Sequence, residues 1–144
     1  LLVDAYSTFS GVRVRQARYY FDLELPDNIG EPLQKVVIQQ RTGSEEVEFK
    51  LEKTNGYFGD HRNKKDSLEL RTSRDESTGE IIVEFSRPIP PGNNLTIGLK
   101  PKSNPDFGGV YLFGVTAYPT GEKARGMYLG VGRLNFYQSG DFYF

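Results

Sequence analysis

The sequence predicts an all-β fold, an Ig-like antiparallel β-sandwich of about eight or nine strands, on three observations. Ten Phe and nine Tyr, with no Trp, join runs of Val, Ile and Thr, and these residue types suit a half-buried pleated surface. Apolar and polar residues alternate over short runs, and no stretch carries a helical period. Gly, Pro, Asn and Asp punctuate the runs at intervals of roughly 8–12 residues.

Residues 1–9 are apolar-rich and read as a first strand. Residues 18–25 alternate, with Tyr19, Phe21, Leu23 and Leu25 on one side and Tyr20, Asp22 and Glu24 on the other, until Pro26, Asn28 and Gly30 end the run. Residues 33–41 form a strand through Val36, Val37 and Ile38; Thr42-Gly43-Ser44 turns, and residues 47–51 alternate again. Residues 53–67 read as a long exposed loop. Residues 68–72 make a short edge strand, which Ser77-Thr78-Gly79 turns into a strand over 80–85. A Pro90-Pro91-Gly92 corner feeds residues 95–99, and Pro101, Asn104 and Pro105 mark a further loop.

The chain is organised around residues 108–137, where runs at 110–118 and 128–137 flank a loop with Pro119, Gly121 and Gly126. Tyr111, Phe113, Val115 and Ala117 share one side of the first run, and Val110, Leu112 and Gly114 most of the other, so it reads as central or half inside a sandwich. In the second run Tyr128, Gly130, Gly132, Leu134 and Phe136 share a face, and two successive positions there lack a side chain. Glycine weakens a strand unless something approaches the backbone closely. Either the chain's own aromatic rings pack on that bare backbone, which the sequence favours, or a groove there accepts a partner's ring.

The 144 residues make one domain, a sandwich over 1–138 followed by an aromatic tail over 139–144. Eighteen basic and 19 acidic residues leave a net charge of −1, so no global field draws in nucleic acid. Arg13, Arg15 and Arg18 beside Tyr19 and Tyr20 only superficially resemble a nucleic-acid strip. No cysteine is present, which removes disulfides, thiolate catalysis and Cys-based zinc sites. No apolar run approaches the roughly 18 residues of a membrane helix, so no membrane span is expected. Leu1 in place of a starting Met fits an N-terminal segment lost to processing, a signal peptide being one explanation.

No catalytic residue, cofactor or metal site is expected. The single histidine, His61, stands beside Asp60 in the polar loop, without a G-x-S-x-G turn, and reads as a solvated loop residue. One His and no Cys do not make a typical zinc or copper site. Glu45, Glu46 and Glu48, and then Asp75, Glu76 and Glu80, are acidic clusters without a complete calcium-loop signature. Gly126, Gly130 and Gly132 are not followed by a helix and make no dinucleotide fingerprint. The expected interaction surface comprises Gly130, Gly132 and Tyr128, the tail residues Phe142, Tyr143 and Phe144, and the apolar start Leu1, Leu2 and Val3. Extended termini and sheet edges of this kind join subunits by adding strands.

The runs Gly30-Glu31-Pro32-Leu33-Gln34-Lys35-Val36, Pro91-Gly92, Thr96-Ile97-Gly98-Leu99, Asn104-Pro105 and Gly109-Val110-Tyr111-Leu112-Phe113-Gly114-Val115-Thr116-Ala117 carry a resemblance, which continues through Gly121-Glu122-Lys123 and residues 130–137. In these the chain resembles a cyanobacterial family of exported proteins catalogued as domain of unknown function 2808, over residues 2–137. The resemblance implies an upstream signal peptide and an exported home in the periplasm, at the cell surface or outside the cell, and supplies no catalytic residues. The segment after Tyr137 departs from the family pattern.

The expected function is a non-enzymatic extracytoplasmic structural protein that self-assembles, as a filament or envelope-layer subunit, through sheet edges and terminal segments. The alternative is a monomeric binding module for an envelope polysaccharide or small ligand, with Tyr57, Tyr118 and Tyr128 as exposed stacking surfaces. An enzyme using Asp60 and Asp66 is the third and least supported reading.

Overall fold

Alternation along the chain becomes two stacked antiparallel sheets in the computed structural model, which describes residues 1–27, 30–121 and 125–138. The strands are β1 (Leu2–Ser7), β2 (Tyr19–Glu24), β3 (Leu33–Thr42), β4 (Asn55–Asp60), β5 (Asn63–Ser67), β6 (Leu70–Arg74), β7 (Ile81–Ile89), β8 (Asn94–Leu99), β9 (Gly109–Pro119) and β10 (Met127–Phe136). The first sheet has the order β1-β2-β8-β4-β5 and the second β10-β9-β3-β7-β6. This is the Ig-like sandwich the sequence predicts, with ten strands among the described residues rather than eight or nine.

Each inner face supplies the core by its period of two. Tyr19, Phe21 and Leu23 of β2 and Leu95, Ile97 and Leu99 of β8 face Val36 and Ile38 of β3, Val83 and Phe85 of β7, and Tyr111, Phe113, Val115 and Ala117 of β9, all of them buried. The aromatic members meet edge-on, Phe21 with Phe113 at 6.0 Å and Tyr111 with Phe136 at 5.5 Å between ring centroids. Each such buried side chain contributes roughly 1.5–3 kcal/mol by leaving water.

Three elements depart from the alternation reading. Residues 53–67 are not a loop but the β4–β5 hairpin: β4 pairs with β8, burying Tyr57, and the turn is held by Asp60 Oδ1, which accepts from the amides of Arg62 and Asn63 at 2.8 Å each. Sequence pattern misses β5, Asn63–Ser67, because every residue of it is exposed and none is apolar. Residues 47–51 form no strand; only Phe49 bridges to Pro101, and a 3-10 turn over Leu51–Lys53 follows. In β10 a bulge between Tyr128 and Gly130, with Gly130 at φ 140°, adds a residue and switches the faces. Leu129 therefore turns inward and Tyr128 outward, so Tyr128 does not share the face of Leu134 and Phe136. The central strand of the second sheet is β3; β9 lies beside it, with its outer face partly open at Val110 and Leu112.

Between β1 and β2 the chain leaves the first sheet and touches the end of β10. Gly11 bridges Tyr137 in parallel, with the Val12 amide donating to the Tyr137 carbonyl at 3.1 Å and the Tyr137 amide to the Ser10 carbonyl at 2.8 Å. Buried Asn104 fixes this excursion: its Nδ2 donates to the carbonyls of Phe9 (2.9 Å) and Gly11 (2.8 Å), and its Oδ1 accepts from the Tyr19 hydroxyl (2.7 Å). The side-chain amide is thereby satisfied at both donors and at its oxygen, as burial requires.

Candidate functional site

Two features of the surface invite function: a polar cluster on the outer face of the first sheet, and the paired edges β1 and β10. The cluster follows from register. Asp4 of β1 lies opposite Asp22 of β2, and Tyr6 opposite Tyr20, so the two carboxylates and the two rings share the outer face. The β4–β5 turn then folds His61 back over them. His61 Nδ1 stands 2.5 Å from Asp22 Oδ2, and the His61 amide donates to Asp22 Oδ1 at 3.0 Å. The Thr96 hydroxyl of β8 lies 2.7 Å from the same Oδ1 and 2.9 Å from the Gly59 carbonyl oxygen. The imidazole is stacked on Tyr6 at 4.8 Å and lies nearly parallel to Tyr20 at 6.3 Å.

His61 is therefore not the solvated loop residue that the sequence predicts. Its side chain is 9% exposed and that of Asp22 8% exposed. A buried carboxylate needs hydrogen-bonding partners, and Asp22 has three contacts to meet that need, with the His61 amide, the Thr96 hydroxyl and the His61 imidazole. The adjoining Tyr57 ring lies under the Lys64 ammonium, 5.1 Å from its centroid, and burial, with Tyr20, Asp22 and Asp60 nearby, pushes its hydroxyl up to about 12. Tyr57 is 3% exposed, so it is not the open stacking surface expected of it. Tyr118 is half-buried with Lys35 over its ring, whereas Tyr128 is 54% exposed.

The acidic clusters are engaged locally. Glu45 accepts from the amides of Asp106 and Phe107, Glu46 pairs with Arg74, Glu48 with Lys102, and Asp75 caps the turn through Ser77 and Thr78. No strand forms at Glu46 and Glu48.

At the edges, β1 and β10 lie over one another. Leu2 covers Gly130, and the space beside Gly132 is filled by Ala5 and the edge of the Phe21 ring. The glycine floor is thus lined by β1 together with one core aromatic. Leu1 and Val3 are 63% and 62% exposed on the β1 side, and Tyr128 and Val131, the latter at 45%, are exposed on β10. Phe142, Tyr143 and Phe144, with the whole tail over 139–144, lie outside the described residues. Among the expected surface residues the structure thus brings Leu2 onto Gly130 and leaves Leu1, Val3 and Tyr128 open.

A family model described as Protein of unknown function (DUF2808) matches residues 1–136. No curated protein matches the chain. Among solved structures the chain is similar to ACE19, the collagen binding subdomain of the Enterococcus faecalis surface protein ACE, at 11% identity and a TM-score of 0.52, over 91% of this chain and 95% of that one. Looser likenesses are to a collagen-binding domain from a Staphylococcus aureus adhesin (15% identity, TM-score 0.44, 94% of this chain and 97% of that one) and to the collagen adhesin of S. aureus (16%, 0.47, 93% and 49%). At such identity the likeness to ACE19 speaks for the sandwich fold alone.

Proposed function

We propose that this chain, which belongs to the DUF2808 family, acts outside the cytoplasm as a non-enzymatic structural protein that associates with copies of itself through its sheet edges. The observation that carries this reading is the side formed by β1 and β10. Among the described residues, β1 pairs only with β2, and β10 only with β9 apart from the bridge at Tyr137. Two edge strands thus present backbone donors and acceptors side by side, flanked by exposed Leu1, Val3, Tyr128 and Val131. An open edge with apolar flanks is a template for another strand, and natural sandwiches usually blunt it with charge or cover it. The opposite edge strand β5 is blunted in that way, by Lys64, Lys65 and Asp66. The contrast between the two sides supports a directed use of the β1/β10 side.

Light scattering across a concentration series tests this. The expected result is a mass above that of one chain that grows with concentration and falls to a single chain in the Val3→Lys, Val131→Lys double variant. A single chain at every concentration, or assembly indifferent to both lysines, overturns the reading and leaves the polysaccharide-binding alternative, for which Tyr128 is the most exposed of the three tyrosines expected to stack.

A further inference from the structure

We infer that Asp4, Asp22 and His61 form a binding site for a divalent first-row transition-metal ion of the zinc or manganese class. This goes beyond the edge-association reading and does not depend on it. The potential ligand atoms, one from each residue, all lie within 4.8 Å of one another. They come from three separate pieces of chain: edge strand β1, its neighbour β2, and the β4–β5 turn.

Three observations carry the assignment. The first is charge. Asp4 and Asp22 are cross-strand partners on one face, and like charges so placed repel. No Lys or Arg forms an ion pair with either carboxylate among the described residues, and the Asp4 carboxylate accepts no hydrogen bond there. No ion pair with a permanent cation therefore balances the two carboxylates, one of them buried, and Arg62, which lines the same surface pocket, pairs with neither. The second is orientation. The Thr96 hydroxyl and the His61 amide both engage Asp22 Oδ1, which leaves Oδ2 aimed at the imidazole. Polar partners behind the ligand atoms, with the ring held against Tyr6, are how proteins fix metal ligands in direction. The third is spacing. Bonds of about 2.0–2.2 Å to nitrogen and oxygen put neighbouring ligands about 3 Å apart. The pair His61 Nδ1 and Asp22 Oδ2 is at 2.5 Å and the widest separation is 4.8 Å, so an entering ion displaces the proton shared by that pair, opens it by about half an ångström and draws in the exposed Asp4 side chain.

The donor set selects the ion. One imidazole with two carboxylates suits zinc or manganese, whereas calcium takes six to eight oxygens and magnesium keeps its waters. Three protein ligands leave further positions to water on the open side of Asp4. Bound there, the ion ties the edge strand β1 to β2 and to the β4–β5 turn.

The chain's single histidine makes the test direct, because its ring signals in an NMR spectrum belong to one residue. The purified chain is freed of metal and titrated with Zn2+, Mn2+, Mg2+ and Ca2+ separately. The expected results are 1:1 binding of Zn2+ with a shift of the His61 ring signals, their selective broadening by Mn2+, and slower amide exchange in β1. Asp4→Asn, a change at an exposed edge position, is expected to weaken Zn2+ binding by at least about tenfold, and His61→Gln to abolish the site. His61 signals unmoved by excess Zn2+, equal affinity in Asp4→Asn and the parent chain, or Ca2+ binding as tightly as Zn2+ overturns the assignment.

Discussion

Asp22 shows how one side chain joins distant parts of this chain. Its partners lie 39 and 74 residues away, at His61 and Thr96. In metal-free solution His61→Ala leaves the buried carboxylate with only the amide and hydroxyl contacts, and the expected cost is about 2–4 kcal/mol. Urea unfolding with chelator present checks this through a lower midpoint at unchanged slope; Asp22→Asn in the same background should recover part of the loss, since the uncompensated charge is then gone. An unchanged midpoint would make the pair dispensable. Sequence reading missed this site for a physical reason. Asp22 lies in an alternating run on what reads as the solvent face, and His61 in a polar stretch without apolar signal. Only the β4–β8 pairing carries the turn over Asp22. The available hint was a single acidic residue between Tyr20 and Leu23 on a strand of otherwise large side chains.

At the scale of the element, β10 illustrates what alternation conveys and what it conceals. The paired absence of side chains at Gly130 and Gly132 was legible, as was one of the rings against them, since Phe21 lies at Gly132. The aliphatic cover from Leu2 and Ala5 was not, because nothing local ties β1 to a strand more than a hundred residues on. The bulge was also hidden: alternation assumes one residue per step, and a glycine at positive φ breaks that count. A Cβ at Gly132 would meet that of Ala5 at 2.7 Å and the Phe21 ring at 3.2 Å. Gly132→Val should therefore cost about 1–3 kcal/mol, speed amide exchange across β1, and be partly repaired by Ala5→Gly. Exchange rates in β1 equal to those of the parent chain would show that the two edges are not packed as described.

At the scale of the whole molecule, the class of fold was legible because most strands bury one face. Of the three readings that failed, the β4–β5 hairpin and residues 47–51 are those where exposure or irregular backbone removes the pattern, and in β10 the bulge shifts it. Global stability should follow the buried tyrosines at high pH. Burial, with Tyr111 and Glu45 adding, pushes the Tyr19 hydroxyl far above its ordinary value, and the Tyr57 hydroxyl is pushed up to about 12. In the unfolded chain both release their protons near 10. The folded state holds protons that the unfolded state gives up, so this contribution is full below about pH 10 and is lost as pH rises toward about 12. Urea midpoints measured across that interval should fall, and Tyr57→Phe should make the fall shallower; a flat profile would contradict the burial of these hydroxyls.

The excursion that brings Gly11 to Tyr137 also sets how the molecule bears a pull. β1 and β10 run in the same direction, with Leu2 over Gly130 and Ala5 over Gly132, so Leu1 and Gln138 lie at opposite ends of the sandwich. Tension applied between those two points runs lengthwise along β1 and β10. The ladder from β1 to β2 is then loaded in shear, its hydrogen bonds sharing the force together instead of opening one at a time from an end. A subunit strung in series through such points would resist stretching at the strand that carries Asp4.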